Sequence, residues 1–128
     1  MSNPKSQNFI IPFIIYPFDV MVSVNQTDDE LLKSVKQFGL NRNDISEILN
    51  LHETVKARTL MLLTTNQTFI RLKSKPKKAS EYGTLQHEIF HAIDFIFRKI
   101  GISLSADSDE AYAYLIGYLT EKIYEKLK

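Results

Sequence analysis

Residues 84–97, Thr-Leu-Gln-His-Glu-Ile-Phe-His-Ala-Ile-Asp-Phe-Ile-Phe, admit only one kind of secondary structure. Leu85, Ile89, Ala92, Ile93 and Ile96 recur at three- and four-residue intervals, which gathers them on one side of an α-helix. A strand would scatter them over both faces. The pattern predicts a helix capped near Ser80, running to about Lys99 and stopped by Gly101. The same period sets His87 above His91, with Glu88 at the edge of their shared face. His87-Glu88-Ile89-Phe90-His91 therefore reads H-E-x-x-H. Two imidazoles four apart on a helix can reach one metal ion, with a carboxylate beside a bound water, which suits zinc.

Composition narrows the chemistry. The chain has 128 residues, enough for one core, so residues 1–128 are expected to form a single domain. It has no cysteine, so any metal must be held by His, Asp or Glu. A cysteine-free chain is compatible with the cytoplasm, the expected location. A net charge of +1 gives no global pull toward nucleic acid or an anionic membrane, and neither is expected as a partner. The apolar stretch Phe9 to Phe18 is broken by Pro12 and Pro17 and has no small-residue cleavage site after it. It is not expected to be a signal peptide or a membrane span.

The remaining segments supply a sheet and flanking helices. Residues 1–8 are polar and expected to fray. The proline-containing part of Phe9 to Val24 suits an edge, and Asp19 to Val24 is the better strand. Thr27-Asp28-Asp29-Glu30 is a capping box opening a short helix with Leu31, Leu32, Val35 and Phe38, closed by Gly39. Asp44 to Leu51 reads as a second short helix. Lys56 to Thr64 and Thr68 to Leu72 are β-type runs joined by a three-residue hairpin loop. Lys73 to Lys78 holds four lysines and Pro76, and reads as a solvated linker or as a basic lip beside the site. A last helix begins near Asp107 or Ser108, with Ala111, Leu115, Tyr118, Leu119, Ile123 and Leu127 as its apolar positions. The fold class is α+β: a small antiparallel or mixed sheet packed on helices.

A catalytic zinc keeps three protein ligands and one open position. The candidates for the third are His52, Asp107, Asp109 and Glu110. The metzincin extension fails, since Asp94 and Phe97 stand where that pattern needs Gly and His. Glu110 is a cap candidate as well, as N3 of a box begun by Asp107. Asp94, three positions after His91, reads as a solvent-facing helix residue or a hydrogen-bond partner for an imidazole; Asp107 is a second such partner. Tyr112 and Tyr114 read as packing residues, and with Tyr82 they are available as oxyanion donors by type.

H-E-x-x-H, a turn, and a helix with Glu in its first turn together resemble the gluzincin branch of the zincin metallopeptidases. The texture Glu110-Ala111-x-x-Tyr114, with Ala113, is similar to small prophage-associated peptidases, and the likeness covers about residues 80 to 120. It implies a zinc-dependent peptidase with His87, His91 and Glu110 as ligands and Glu88 as general base, acting on a peptide or protein substrate. Asp109 and Asp107 are the reserve ligands. By the same likeness the substrate would lie along an edge strand, for which Thr68 to Leu72 is the nearest in sequence. Two other readings share the motif. One is a non-catalytic, zinc-stabilised binding module of phage or mobile-element origin. The other is a metal-free adaptor in which the motif is accidental. A module needing only a structural metal has no use for Glu88.

Overall fold

The structure, a computed structural model, describes residues 6–13, 18–50, 55–62, 65 and 67–128. In chain order the described elements are β1 (Gln7–Pro12), β2 (Asp19–Val24), α1 (Asp28–Val35) with a 3-10 turn at Lys36–Phe38, and α2 (Arg42–Leu49). β3 (Ala57–Met61), β4 (Thr68–Leu72), α3 (Ala79–Lys99) and α4 (Asp109–Leu127) follow. The strands form one mixed sheet in the order β1-β2-β4-β3. β1 pairs antiparallel with β2, β3 antiparallel with β4, and the central β2 and β4 run parallel. The α+β class expected from the sequence is the observed one.

Alternation along the strands sends side chains to two faces. Val20, Val22, Val24, Ile70 and Leu72 point to one side, against Leu85, Ile89, Ile93 and Ile96 of α3 and Leu119 and Ile123 of α4. Met21, Leu60 and Phe69 point to the other, against Leu31 and Val35 of α1 and Ile48 of α2. Because both faces are covered, the central strands are buried at nearly every position, polar residues included. Arg71, on the α1–α2 face, is buried and satisfied: its guanidinium reaches Asp28 at 2.9 Å and the Gln26 and Ile48 carbonyls at 3.3 Å.

Local chemistry sets the helix ends. The Thr27 hydroxyl accepts from the Glu30 amide at 3.1 Å, and the Glu30 carboxylate accepts from the Thr27 amide at 2.9 Å, the expected capping box. Gly39 (φ 62°) and Gly101 (φ 82°) occupy the left-handed conformation that side chains disfavour, which is why each closes its helix. α2 begins at Arg42, two residues before the expected start, because the Asn41 side chain accepts from the Asp44 amide. The N-cap position of α3 is Lys78, not Ser80. The Glu81 carboxylate accepts from the Lys77 and Lys78 amides, both at 2.9 Å, and those bonds hold its carboxyl below the usual range.

Several expectations are corrected. Gln7 and Asn8 are not frayed; they pair with Val24 and Ser23, and the Gln7 side chain donates to the Lys126 carbonyl at 2.8 Å. Residues 1–5 lie outside the described residues, as do His52 and Asn66 of the expected hairpin loop. Ala111 is exposed and Tyr112 takes the core position. Tyr114, expected to pack, is 73% exposed. Thr68 to Leu72 is an interior strand; the edge beside the long helix is β3. Nearness in sequence misled there, because the β3–β4 hairpin places its first strand outermost and leaves its second to pair with β2.

α3 and α4 are joined by a polar clamp in addition to their apolar seam. Asp94, expected to face solvent, is only 8% exposed. It accepts from the Tyr112 hydroxyl at 2.9 Å and pairs with Arg98 at 2.9 Å. Burial, and next the bond to Asp94, push the Tyr112 phenol above the ordinary tyrosine range. A raised folded value means this stabilisation is full below about pH 10 and is lost as pH rises through the folded value. Tyr112→Phe leaves the buried Asp94 carboxylate short of a donor and should cost about 1–3 kcal/mol in urea unfolding at pH 7. It should also remove that alkaline component from the stability profile. A variant as stable as wild type at pH 7 would show that the clamp carries no stability.

Candidate metal centre

The apolar stripe of α3 faces the sheet, and Phe97, with the Asp94 carboxylate, meets Tyr112 of α4. The side left over lies between α4 and the β3 edge, and there the helical period places His87 and His91. Their rings meet edge-on at 4.6 Å, and the two Nε2 atoms are 3.0 Å apart. Two nitrogens bound to one tetrahedral zinc at about 2.0–2.1 Å stand about 3.3 Å apart. At 3.0 Å one imidazole N–H donates to the other ring's nitrogen, and the spacing is close to that of two nitrogens sharing one metal ion. His87 is exposed, whereas His91 is half-buried beside the rings of Phe90 and Phe95.

Glu88 turns the other way, toward the sheet edge. Its side chain is largely buried, with Oε2 4.0 Å from His87 Nε2. The Thr59 hydroxyl on β3 lies 2.7 Å from Glu88 Oε1 and 3.1 Å from the Glu88 carbonyl oxygen. Donation to Oε1 orients the carboxylate, leaving Oε2 directed toward the histidine face. The sequence carried no sign of Thr59: it is one threonine in a β-type run, and its partner is 29 positions away.

The structure does not bring Glu110 to the pair. Among the described residues, no group of three His, Cys, Asp or Glu side chains is gathered at metal-binding range. Glu110 is exposed in the first turn of α4. Two contacts set the helix register: Asp94 meets Tyr112, and Gln86 meets Thr120 at 3.1 Å. Eight steps back along α3 thus match eight steps forward along α4. On that register Glu110 is about level with Ile96, roughly 7 Å beyond His91 along the axis at 1.5 Å per residue. The N-cap of α4 is Ser108, with no side-chain cap bond, so the box of Asp107 and Glu110 does not form and Glu110 sits at N2. The Ser108 hydroxyl instead donates to the Ser103 carbonyl at 2.6 Å and accepts from the Ser105 amide at 2.9 Å, which ties down the turn entering α4. Asp107 and Asp109 are exposed in the same region. Asp94 is committed to Tyr112 and Arg98 and does not orient an imidazole.

No protein-family model, no curated protein and no solved structure matches this chain. No helix among the described residues is long and apolar enough to cross a membrane.

Thr59→Val keeps the shape of the side chain and removes the hydroxyl. It should cost about 1–2 kcal/mol in thermal or urea unfolding, because a buried carboxylate loses a donor. Unchanged stability would mean that Thr59 and Glu88 are not bonded in solution.

Proposed function

We propose that the protein is a zinc-dependent metallopeptidase of zincin type. The observation that carries this reading is the pair of imidazole Nε2 atoms 3.0 Å apart beside the buried, Thr59-oriented Glu88. His87 and His91 would hold the metal, and Glu110 is the proposed third ligand, with Asp109 and Asp107 in reserve. Glu110, Asp109 and Asp107 are exposed, and any of them would reach the pair only with a shift of the entry turn that Ser108 holds. A bound zinc supplies Lewis acidity, lowering the pKa of its water and polarising a carbonyl.

The chain's own residues do the rest. Glu88 Oε2 removes the proton from the attacking water and returns it to the departing amine nitrogen, so one carboxylate serves as base and then acid. Thr59 holds the other oxygen of that carboxylate, which keeps Oε2 turned toward the histidine face. β3 is the sheet edge beside Glu88, and an extended peptide adding to it as a further antiparallel strand would pass the motif helix at the level of Thr59 and Met61. The substrate would then lie along β3. The proposed setting is the cytoplasm, in keeping with a chain free of cysteine. The alternative, a zinc-stabilised binding module, keeps both histidines but leaves the buried Glu88 without a task.

The first test is metal content. Untagged protein dialysed against zinc should retain about one equivalent by atomic emission. Glu88→Gln should retain the same zinc and lose cleavage of a mixed peptide library by at least about a hundredfold. A Glu88→Gln variant that cleaves as well as wild type would remove Glu88 from the mechanism. Zinc-free wild type after reconstitution would end the metallopeptidase reading. Glu110→Ala should weaken zinc binding at least about tenfold while leaving the far-ultraviolet circular dichroism intact. Equal zinc affinity in that variant would move the third ligand to Asp109 or Asp107.

A further inference from the structure

Charge is unevenly spread over the fold. The sheet register brings the end of β2, the end of β4 and the start of β3 to one end of the domain, since Leu72 pairs with both Val24 and Ala57. The Lys73 amide donates to the Lys56 carbonyl at 2.9 Å, which sets those two lysines side by side. Lys75, Lys77 and Lys78 follow on the segment entering α3. The C-terminus of α4 arrives at the same end through Gln7 and the Lys126 carbonyl, and it adds Lys126 and Lys128. Glu81, the acidic residue among them on α3, has its carboxylate taken up by the Lys77 and Lys78 amides. With a net charge of +1 for the whole chain, the rest of the molecule carries the balancing negative charge.

This end is grooved, not flat. Lys75 and Lys128 line a depression of about 270 Å³ together with Tyr82, Tyr124 and Leu127. The Tyr82 and Tyr124 rings in its lining lie 5.2 Å apart, tilted by 49°. Lys75 also borders the adjoining depression, of about 280 Å³, with Asn25, Ser74, Lys77 and Glu81, whose carboxylate is held by the Lys77 and Lys78 amides. Lys75 lines both depressions and so links them into one track, bordered by Lys75, Lys77, Lys128 and Glu81, with the two tyrosine rings in one part of it.

We propose that this lysine-lined track binds single-stranded nucleic acid, with phosphates along Lys75, Lys77 and Lys128 and a base against Tyr82 and Tyr124. Lysines recognise a phosphate backbone as point charges. Aromatic rings beside such a row take unpaired bases, whose faces are exposed, in preference to a duplex, whose faces are stacked away. An acidic peptide would satisfy the lysines and leave the aromatic platform unused. The overall charge of the chain conceals this end, where lysines outnumber the one acidic residue of the lining, Glu81. The surface uses none of the motif residues, so it stands whether or not the protein is a peptidase.

Fluorescence anisotropy tests it with four probes: a labelled thymidine 20-mer, its abasic counterpart, a mixed-sequence duplex and polyglutamate. The thymidine oligomer should bind most tightly, and its affinity should fall steeply between about 50 and 200 mM salt. Lys75→Glu with Lys128→Glu should weaken binding at least tenfold and make the salt slope shallower by about 1.4, at about 0.7 per phosphate contact. Tyr82→Leu, which keeps apolar bulk, should abolish the preference for thymidine over the abasic chain. His87→Ala should bind as wild type does. The proposal is overturned by no binding at low salt, by duplex or polyglutamate binding as tightly as the thymidine oligomer, or by a folded charge-reversal variant that binds like wild type.

Discussion

The burial of one helix organises this molecule. α3 must put Leu85, Ile89, Ala92, Ile93 and Ile96 out of water, and the sheet face of alternating valines and Ile70 is the surface that receives them. Burying each of the four leucine and isoleucine side chains is worth about 1.5–3 kcal/mol. The helix therefore cannot rotate about its axis without exposing several of them. That rotational lock decides where every polar residue of α3 points. It turns Asp94 toward α4, Glu88 toward the β3 edge, and the two histidines outward between them.

The polar contacts then refine what the apolar contacts have placed. Tyr112 and Arg98 hold Asp94 at the helix–helix seam, so this carboxylate serves the fold and not the imidazoles. Thr59 does the corresponding work at the sheet edge, holding Glu88 in a largely buried position that would be costly for an unbonded carboxylate. Two acidic residues six positions apart on one helix thus have different tasks. What separates them is which neighbour each meets: a phenol on another helix or a hydroxyl on a strand.

Much of the fold was readable because its signals are local. The capping box at Thr27, the left-handed glycines at 39 and 101, and the strands Asp19–Val24 and Thr68–Leu72 all follow from short-range sterics and alternation. The misreadings have two causes, one local and one tertiary. Ser80 was displaced as a cap by the Glu81 carboxylate, which reaches back to the Lys77 and Lys78 amides. Ala111 and Tyr112 exchanged places in the core, because the register of α4 is set by its contacts with α3 and not by its own pattern. Strand order ran against chain order, so the interior strand was mistaken for the edge.

The sequence by itself determined that His87 and His91 share one helix face with Glu88 beside it, because a period of 3.6 residues requires it and no partner is involved. It also determined the helix bearing Glu110, through the apolar spacing that follows. Only the tertiary structure decided that the two Nε2 atoms converge to 3.0 Å on a solvent-facing side, that Thr59 holds Glu88, and that Glu110 begins about two helical turns from the pair's level. It also decided that lysines from three separate segments meet at one end. Such facts depend on how elements dock, and docking is set by contacts between residues tens of positions apart, which no local pattern records.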